Sequence, residues 1–280
     1  MDRTVLITGS SSGIGRATAE AFLDEGWTVY ATARNPADVE RLGERDGCTI
    51  ATLDVTDDGD VERVVDRMVD ETGRIDCLVN NAGYGQFGPL EDLPVGTVRR
   101  QFDVNVHGPH RLIRAVLPHM RAREEGTIVN LSSVAGRVAF PGGGAYCGSK
   151  FALEAMSDAL RAEVGTFGID VVLVEPGPVD TGFQERADRE VNGNGETDGL
   201  DRSGAYESFY ESFTDVHSIG DGGPGTVGPE RVADVVVRVA ETHCPRARYP
   251  VGTAARAGML GRFVPDAWRD RAFALLERLA

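Results

Sequence analysis

With 280 residues and 41% hydrophobic content, the chain can bury one sizeable core and is expected to fold as a single α/β domain. Its net charge of −15 works against nucleic acid and anionic membrane surfaces as partners. No apolar run is long enough to cross a bilayer, and the first apolar segment (residues 4–7) is too short for a secretory leader, so a cytoplasmic protein is expected.

The elements alternate from the start. Residues 5–8 form a short β-rich run, followed by a glycine turn and a helix marked by Ala17, Ala21 and Phe22. Residues 27–33 make a second strand, Asn35 and Pro36 open the next helix, and residues 49–53 make a third strand. Asp57 is placed to cap a helix carrying Val61, Val64, Val65 and Met68. Residues 75–80 form strand four, and a long helical stretch over 95–123 is interrupted by Pro109 and Pro118. Strand five spans 127–131, a long helix 145–166, and strand six 169–174. Strands separated by helices imply right-handed crossovers and a parallel, doubly wound sheet of Rossmann type.

After Pro176 the pattern weakens. Residues 182–228 read as a mobile substrate lid within the single 1–280 domain, and 229–280 as a helix–strand–helix unit completing the sheet. Within the lid, Tyr206, Phe209, Tyr210 and Phe213 fall on one helical stripe.

Four cysteines, Cys48, Cys77, Cys147 and Cys244, lack both metal-ligand and disulfide-framework spacing, so no metal site is expected. Among the 29 basic residues Lys150 is the single lysine. Many carboxylates with almost no lysine suggest a halophilic surface, where dense screening removes most self-repulsion.

Gly9, Gly13 and Gly15 follow the first strand, with Ser11, Ser12 and Ile14 among them. Glycines let the backbone approach a pyrophosphate, and the following helix offers N–H groups and the positive end of its dipole. The end of strand two selects the dinucleotide. An acidic residue there would favour NAD, but Ala33 is neutral and Arg34 follows, so NADP(H) is preferred, with NAD(H) not excluded.

Tyr146 and Lys150 are four apart on a helix and share a face. A lysine cation about 5 Å from the phenol, at an effective dielectric of about 20, is worth roughly 3 kcal/mol. That corresponds to about two pKa units toward phenolate. The expectation is therefore a phenol drawn down toward the working range of a general acid/base. Arginine would not substitute, because its planar guanidinium does not donate to ribose hydroxyls as an ammonium does.

Together with Asp54, Val55, Asn80 to Gly83, Asn105, Ser132, Ser133 and the run from Pro176 to Thr181, these segments resemble the short-chain dehydrogenase/reductase family over residues 3–182. The resemblance implies an oxidoreductase acting on an alcohol, ketone or aldehyde, and a homo-oligomer paired along the helix that carries Tyr146. It implies that Ser133 holds the substrate oxygen and that Asn105 holds a water relaying protons to Lys150. Asp54 and Val55 would meet the adenine, Asn81, Ala82 and Gly83 would border the adenosine ribose, and Pro176, Gly177, Val179 and Thr181 would lie along the nicotinamide. The run from Asn80 to Leu90 is similar to the hydroxysteroid- and retinol-dehydrogenase-like branch, which implies a bulky apolar substrate. An isomerase or dehydratase of the extended branch, or a non-catalytic NADP-sensing module, are the alternatives. The first normally needs a larger C-terminal domain and another glycine spacing, and the second does not require the Tyr146–Lys150 pair that this chain keeps.

Overall fold

Along the first strand, β1 (Thr4–Ile7), Val5 and Ile7 turn to one layer of apolar side chains and Leu6 to the other, and all three are fully buried. This is the pattern of a strand covered on both faces. The computed structural model describes residues 3–183, 200–207, 209, 210 and 225–279, the last four as backbone only. Between α1 (Gly13–Asp24) and α3 (Asp58–Thr72) lie β2 (Thr28–Ala33), a 3-10 turn running into the short α2 (Glu40–Gly43), and β3 (Cys48–Thr52). β4 (Cys77–Asn80), β5 (Gly126–Leu131), β6 (Ile169–Pro176) and β7 (Arg248–Val251) complete seven parallel strands in the order β3-β2-β1-β4-β5-β6-β7.

The order reverses between β1 and β4, so the turns leaving those two strands bound a crevice at the carboxyl edge of the sheet. One core layer packs α1 and the helix Pro229–Glu241 on Val29, Val79, Val129 and Val172. The other packs α3 and α5 (Gly108–Arg123) on Tyr30, Leu78, Ile128 and Val171. Asp57 caps α3, accepting from the N–H of Asp60 at 2.8 Å, and Asn35 caps the turn before α2.

The stretch 95–123 is not simply broken at its prolines. It comprises α4 (Val95–Phe102), a π-helical turn (Asp103–His107) and α5. Pro109 has no N–H to give the carbonyl of Asn105 four residues back, so α-helical pairing fails there and the helix widens. Pro118 lies inside α5, which continues past it. α6 (Gly144–Val164) ends one 3-10 turn before β6. The C-terminal unit contains one helix more than expected, Thr253–Leu260, between β7 and the helix Asp266–Leu279. Among the described residues no helix is long and apolar enough to cross a membrane, and no cluster of His, Cys, Asp and Glu could hold a metal ion.

Candidate active site

The glycine turn between β1 and α1 has no room for side chains. Gly9 and Gly13 have φ of +70° and +53°, and a Cβ on Gly9 would lie 2.9 Å from the Cα of Ala82. On Gly15 it would lie 2.2 Å from the carbonyl oxygen of Gly9. Asn81 braces the turn from β4: its Nδ2 donates to the carbonyls of Thr8 and Gly9 at 2.9 and 3.0 Å. The Thr8 hydroxyl accepts in return from the N–H groups of Asn81 and Ala82. Ser12 stands at the N-cap of α1 without a side-chain cap, which leaves its first-turn donors for another acceptor. A dinucleotide phosphate fits this cradle, since only glycines allow so close an approach to backbone donors.

Arg34 follows the last residue of β2 and is exposed at the same edge. Asp54, just past β3, is turned inward on Thr56, accepting from its N–H at 2.9 Å and its hydroxyl at 2.7 Å. Val55 is buried against Gly108.

Across the crevice, α6 presents Tyr146 and Lys150, with 9% and 7% exposure. The Tyr146 phenol hydrogen-bonds with Ser133, which follows β5 and also accepts from the N–H of Ala135 at 3.1 Å. Lys150 Nζ lies 5.9 Å from the centre of the Tyr146 ring and donates to the carbonyl of Leu131 at 2.8 Å. Burial pushes the phenol up to about 12 against the pull of Ser133, and it pushes the amine down to about 8 against the charge of Glu154. The expectation of a phenol drawn down by lysine is therefore corrected. Desolvation sets the direction of the phenol's shift, and the amine is aimed at a backbone carbonyl. Burial also pushes the Cys147 thiol up, which suits a packed side chain rather than a nucleophile.

The Tyr146 ring packs against Phe87 at 5.4 Å and Phe183 at 5.6 Å between ring centres. The same apolar cluster holds Phe140, Leu200, Tyr206, Phe209 and Tyr210. Tyr206 donates to Glu91 at 2.7 Å and Tyr210 to Asp92 at 2.8 Å, which ties this part of the expected lid to the body. Phe213 and most of the expected lid lie outside the described residues.

The family model for short chain dehydrogenases matches residues 3–192. This chain belongs to the short-chain dehydrogenase family. An oxidoreductase of Escherichia coli called uncharacterized, YbbO, is 38% identical over 97% of this chain and 94% of its own. The NADPH-dependent 3-dehydrocapnine reductase of Ornithobacterium rhinotracheale is 33% identical over 97% and 96%. The 3-ketodihydrosphingosine reductase of Bacteroides thetaiotaomicron is 41% identical, over 65% of each chain. A short-chain dehydrogenase from Streptomyces avermitilis has the same fold, with a TM-score of 0.80 and 34% identity over 99% and 98% of the two chains. ElxO, solved with NADP bound, matches with a TM-score of 0.71 and 26% identity over 89% and 96%.

In this dehydrogenase several residues expected to touch cofactor or water are engaged, through side chain or backbone, with the protein itself. Asn105, in the π turn, accepts from the N–H of Tyr84 at 3.1 Å and donates to the Tyr84 carbonyl and the Ser149 hydroxyl. Asn81 grips the glycine turn. Gly177 lies against Ala255 and donates to the carbonyl of Val251 at 3.0 Å, Val179 pairs with Val227, and Thr181 sits on Gly13. Pro176 ends β6. The sequence reading missed Gln101, whose amide bonds both Tyr84 and Gln86. Its spacing of four from Asn105 on a helix face is the clue that could have found it. It also missed the buried ladder from Asn80 to Asn130 to Ser157, each step 2.8 Å, which fastens α6 to the sheet.

Proposed function

We propose that this short-chain dehydrogenase transfers a hydride between NADP(H) and the carbonyl or alcohol carbon of a bulky apolar substrate, with Tyr146 as the acid/base. The observation that carries the proposal is the Tyr146 phenol. It is hydrogen-bonded to Ser133, set near the Lys150 amine and enclosed by Phe87 and Phe183 at the edge of the sheet that holds the glycine cradle. When bound, the nicotinamide supplies or accepts the hydride. Gly9, Ser11, Ser12, Gly13, Ile14 and Gly15 would hold the pyrophosphate and Arg34 the 2′-phosphate. Asp54, Val55 and Asn81 to Gly83 would bound the adenosine, and Pro176, Gly177, Val179 and Thr181 the nicotinamide end.

In reduction, Ser133 orients the substrate oxygen and Tyr146 gives it a proton as hydride reaches the carbon. Burial holds the phenol above its ordinary value, so at neutral pH it is protonated and able to donate to a forming alkoxide. Lys150 stabilises the phenolate left behind, and a water passes the replacement proton. With its side chain fully engaged, Asn105 would hold that water through its main-chain carbonyl, which Pro109 deprives of its α-helical donor. The aromatic cluster around Tyr146 and the names of the two ketone-type reductase relatives support an apolar carbonyl substrate under a lid at 182–228. Exposed Phe151 and Met156 on α6 support pairing of two copies there, and the acid-rich surface supports work in concentrated salt.

The test is Tyr146→Phe. Turnover of NADPH with a panel of apolar ketones and aldehydes should fall by on the order of 10²-fold or more, with NADPH affinity preserved. Unchanged turnover would overturn the assignment of Tyr146, and wild-type inactivity on every carbonyl would favour a sensing module.

A further inference from the structure

One helical turn after Lys150, α6 buries a carboxylate that hydride transfer does not call on. Glu154 has 5% side-chain exposure, and Glu175, one residue from the end of β6, is fully buried. The two carboxyls meet side chain to side chain, and Glu154 packs over Gly136, where a Cβ would lie 2.8 Å from Ser132 Oγ, 3.0 Å from Glu154 Cγ and 3.2 Å from the Lys150 carbonyl oxygen. Arg248 of β7 lies 3.0 Å from Glu154 Oε2 and 3.4 Å from Glu175 Oε1. Arg137, in the loop after β5, lies 3.5 and 3.8 Å from the same two atoms. Arg248 also pairs with the more exposed Asp158 at 2.6 Å. The helix Thr253–Leu260, packed on Val134 through Gly258, contains no acidic residue.

The two carboxyls are not equivalent. Glu154 has Arg248 at hydrogen-bonding distance, whereas among the described residues no nitrogen donor reaches the Glu175 oxygens within hydrogen-bonding geometry, and Glu154 itself lies against them. Two buried carboxylates cannot face each other fully ionised, but an acid donating to a carboxylate can hold them together. We propose that the pair carries a single proton, held on Glu175, and that ionised Glu154 is the buried counter-charge that keeps the Lys150 amine protonated. Glu154 is then a positioning residue. Its consequence for turnover rests on the role given to Lys150 above.

The charges fit this division. Burial drives Glu175 up to about 8 and Lys150 down to about 8, and the charge of Glu154 opposes the fall of the amine. Burial raises Glu154 as well, but Ser132 and Arg248 pull it back toward its ionised form. Facing Lys150 are Tyr146 and Glu154 from its own helix and the Leu131 carbonyl from β5. Facing Glu154 are Ser132 and Arg137 from the loop, Glu175 from β6 and Arg248 from β7.

Because Lys150 is the only lysine, lysine labelled with 13C at Cε gives one side-chain resonance, and its titration reads this amine directly without turnover. Glu154→Gln should lower the midpoint by about one pH unit or more. Glu175→Gln, which mimics the protonated acid, and Asp158→Asn should leave it near the wild-type value. An unmoved midpoint in Glu154→Gln overturns the proposal. So does Glu175→Gln moving the amine as far as Glu154→Gln does. If Glu154→Gln does not fold, Glu154→Asp, which withdraws the charge by one methylene, should lower the midpoint by less, and no change there is equally fatal. On the activity side, the alkaline limb of kcat/KM in Glu154→Gln should move to lower pH with the amine. The Tyr146→Phe assay separates the two failures. An active Tyr146→Phe enzyme breaks the catalytic reading and leaves the amine titration standing. An inactive one, with an unshifted amine in Glu154→Gln, breaks the counter-charge alone.

Discussion

Replacing Gly15 with alanine adds a single methyl group at the tightest point of the crevice. The new Cβ would lie 2.2 Å from the Gly9 carbonyl oxygen and 2.5 Å from Asn81 Nδ2. Gly15 is the third residue of α1 and does not have a positive φ, so left-handed strain plays no part, and alanine would gain about 1 kcal/mol as the better helix former. Against that gain stands overpacking of backbone that cannot rotate aside, roughly 1–3 kcal/mol. Displacing Asn81 also loosens its hydrogen bonds to Thr8 and Gly9, about 1 kcal/mol each. The net expectation is a loss of about 2–4 kcal/mol, read as a lower urea midpoint at unchanged slope, together with weakened NADPH binding. Gly26→Ala is the comparison. Its φ is +74° and no atom beyond its own chain neighbours lies within 4 Å of the new Cβ, so it should cost roughly 1–2 kcal/mol of backbone strain and leave NADPH binding intact. A Gly15→Ala protein that melts at the wild-type urea concentration and binds NADPH as tightly as wild type would refute the cradle.

Two further outcomes follow from the same geometry. Arg34→Glu should weaken NADPH by on the order of 10–100-fold, the value of a charge-assisted phosphate contact, and leave NADH little changed; equal weakening of both would remove Arg34 from the 2′-phosphate. Glu175 has a folded-state pKa raised to about 8, so its contribution to stability is complete below its unfolded value near 4.5 and is lost as pH rises through about 8. Glu175→Gln should therefore gain on wild type in urea midpoint between pH 5 and pH 9, and a constant difference across that range would show that the acid does not titrate there.

Strand and helix order was legible because the near-continuous apolar runs at 75–79 and 171–174, which lead into β4 and lie within β6, are distinctive of strands covered on both faces. The Tyr146–Lys150 pair was legible because a spacing of four fixes a shared helix face. The π turn was not, although Pro109 announces it, because a proline shows only that a hydrogen bond is lost and not how the helix re-pairs around the loss. The direction of the Tyr146 shift was missed for a different reason. Sequence spacing gives the distance to a charge but not the degree of burial, and burial decides the sign. Glu175 could not be singled out either, since its partners Glu154 and Arg248 come from other elements.

The placement of Asn81, Asn105 and Thr181 bears on how the crevice would hold a ligand at all. Asn81 joins β4 to the glycine turn, Thr181 brings the segment after β6 onto Gly13 of that turn, and Asn105 joins the π turn to Tyr84 and, through Ser149, to the helix of Tyr146. Each of these ties holds the wall of one proposed subsite to the wall of another. The crevice is thus braced by side chains that a contact-based account would assign to the ligand, and the entropic cost of ordering its walls is met on folding rather than on binding. Deleting any one brace frees two walls together, so the effects of Asn81→Ala and Asn105→Ala on NADPH affinity should couple through the loop from β4 that both hold, instead of adding as independent contacts would.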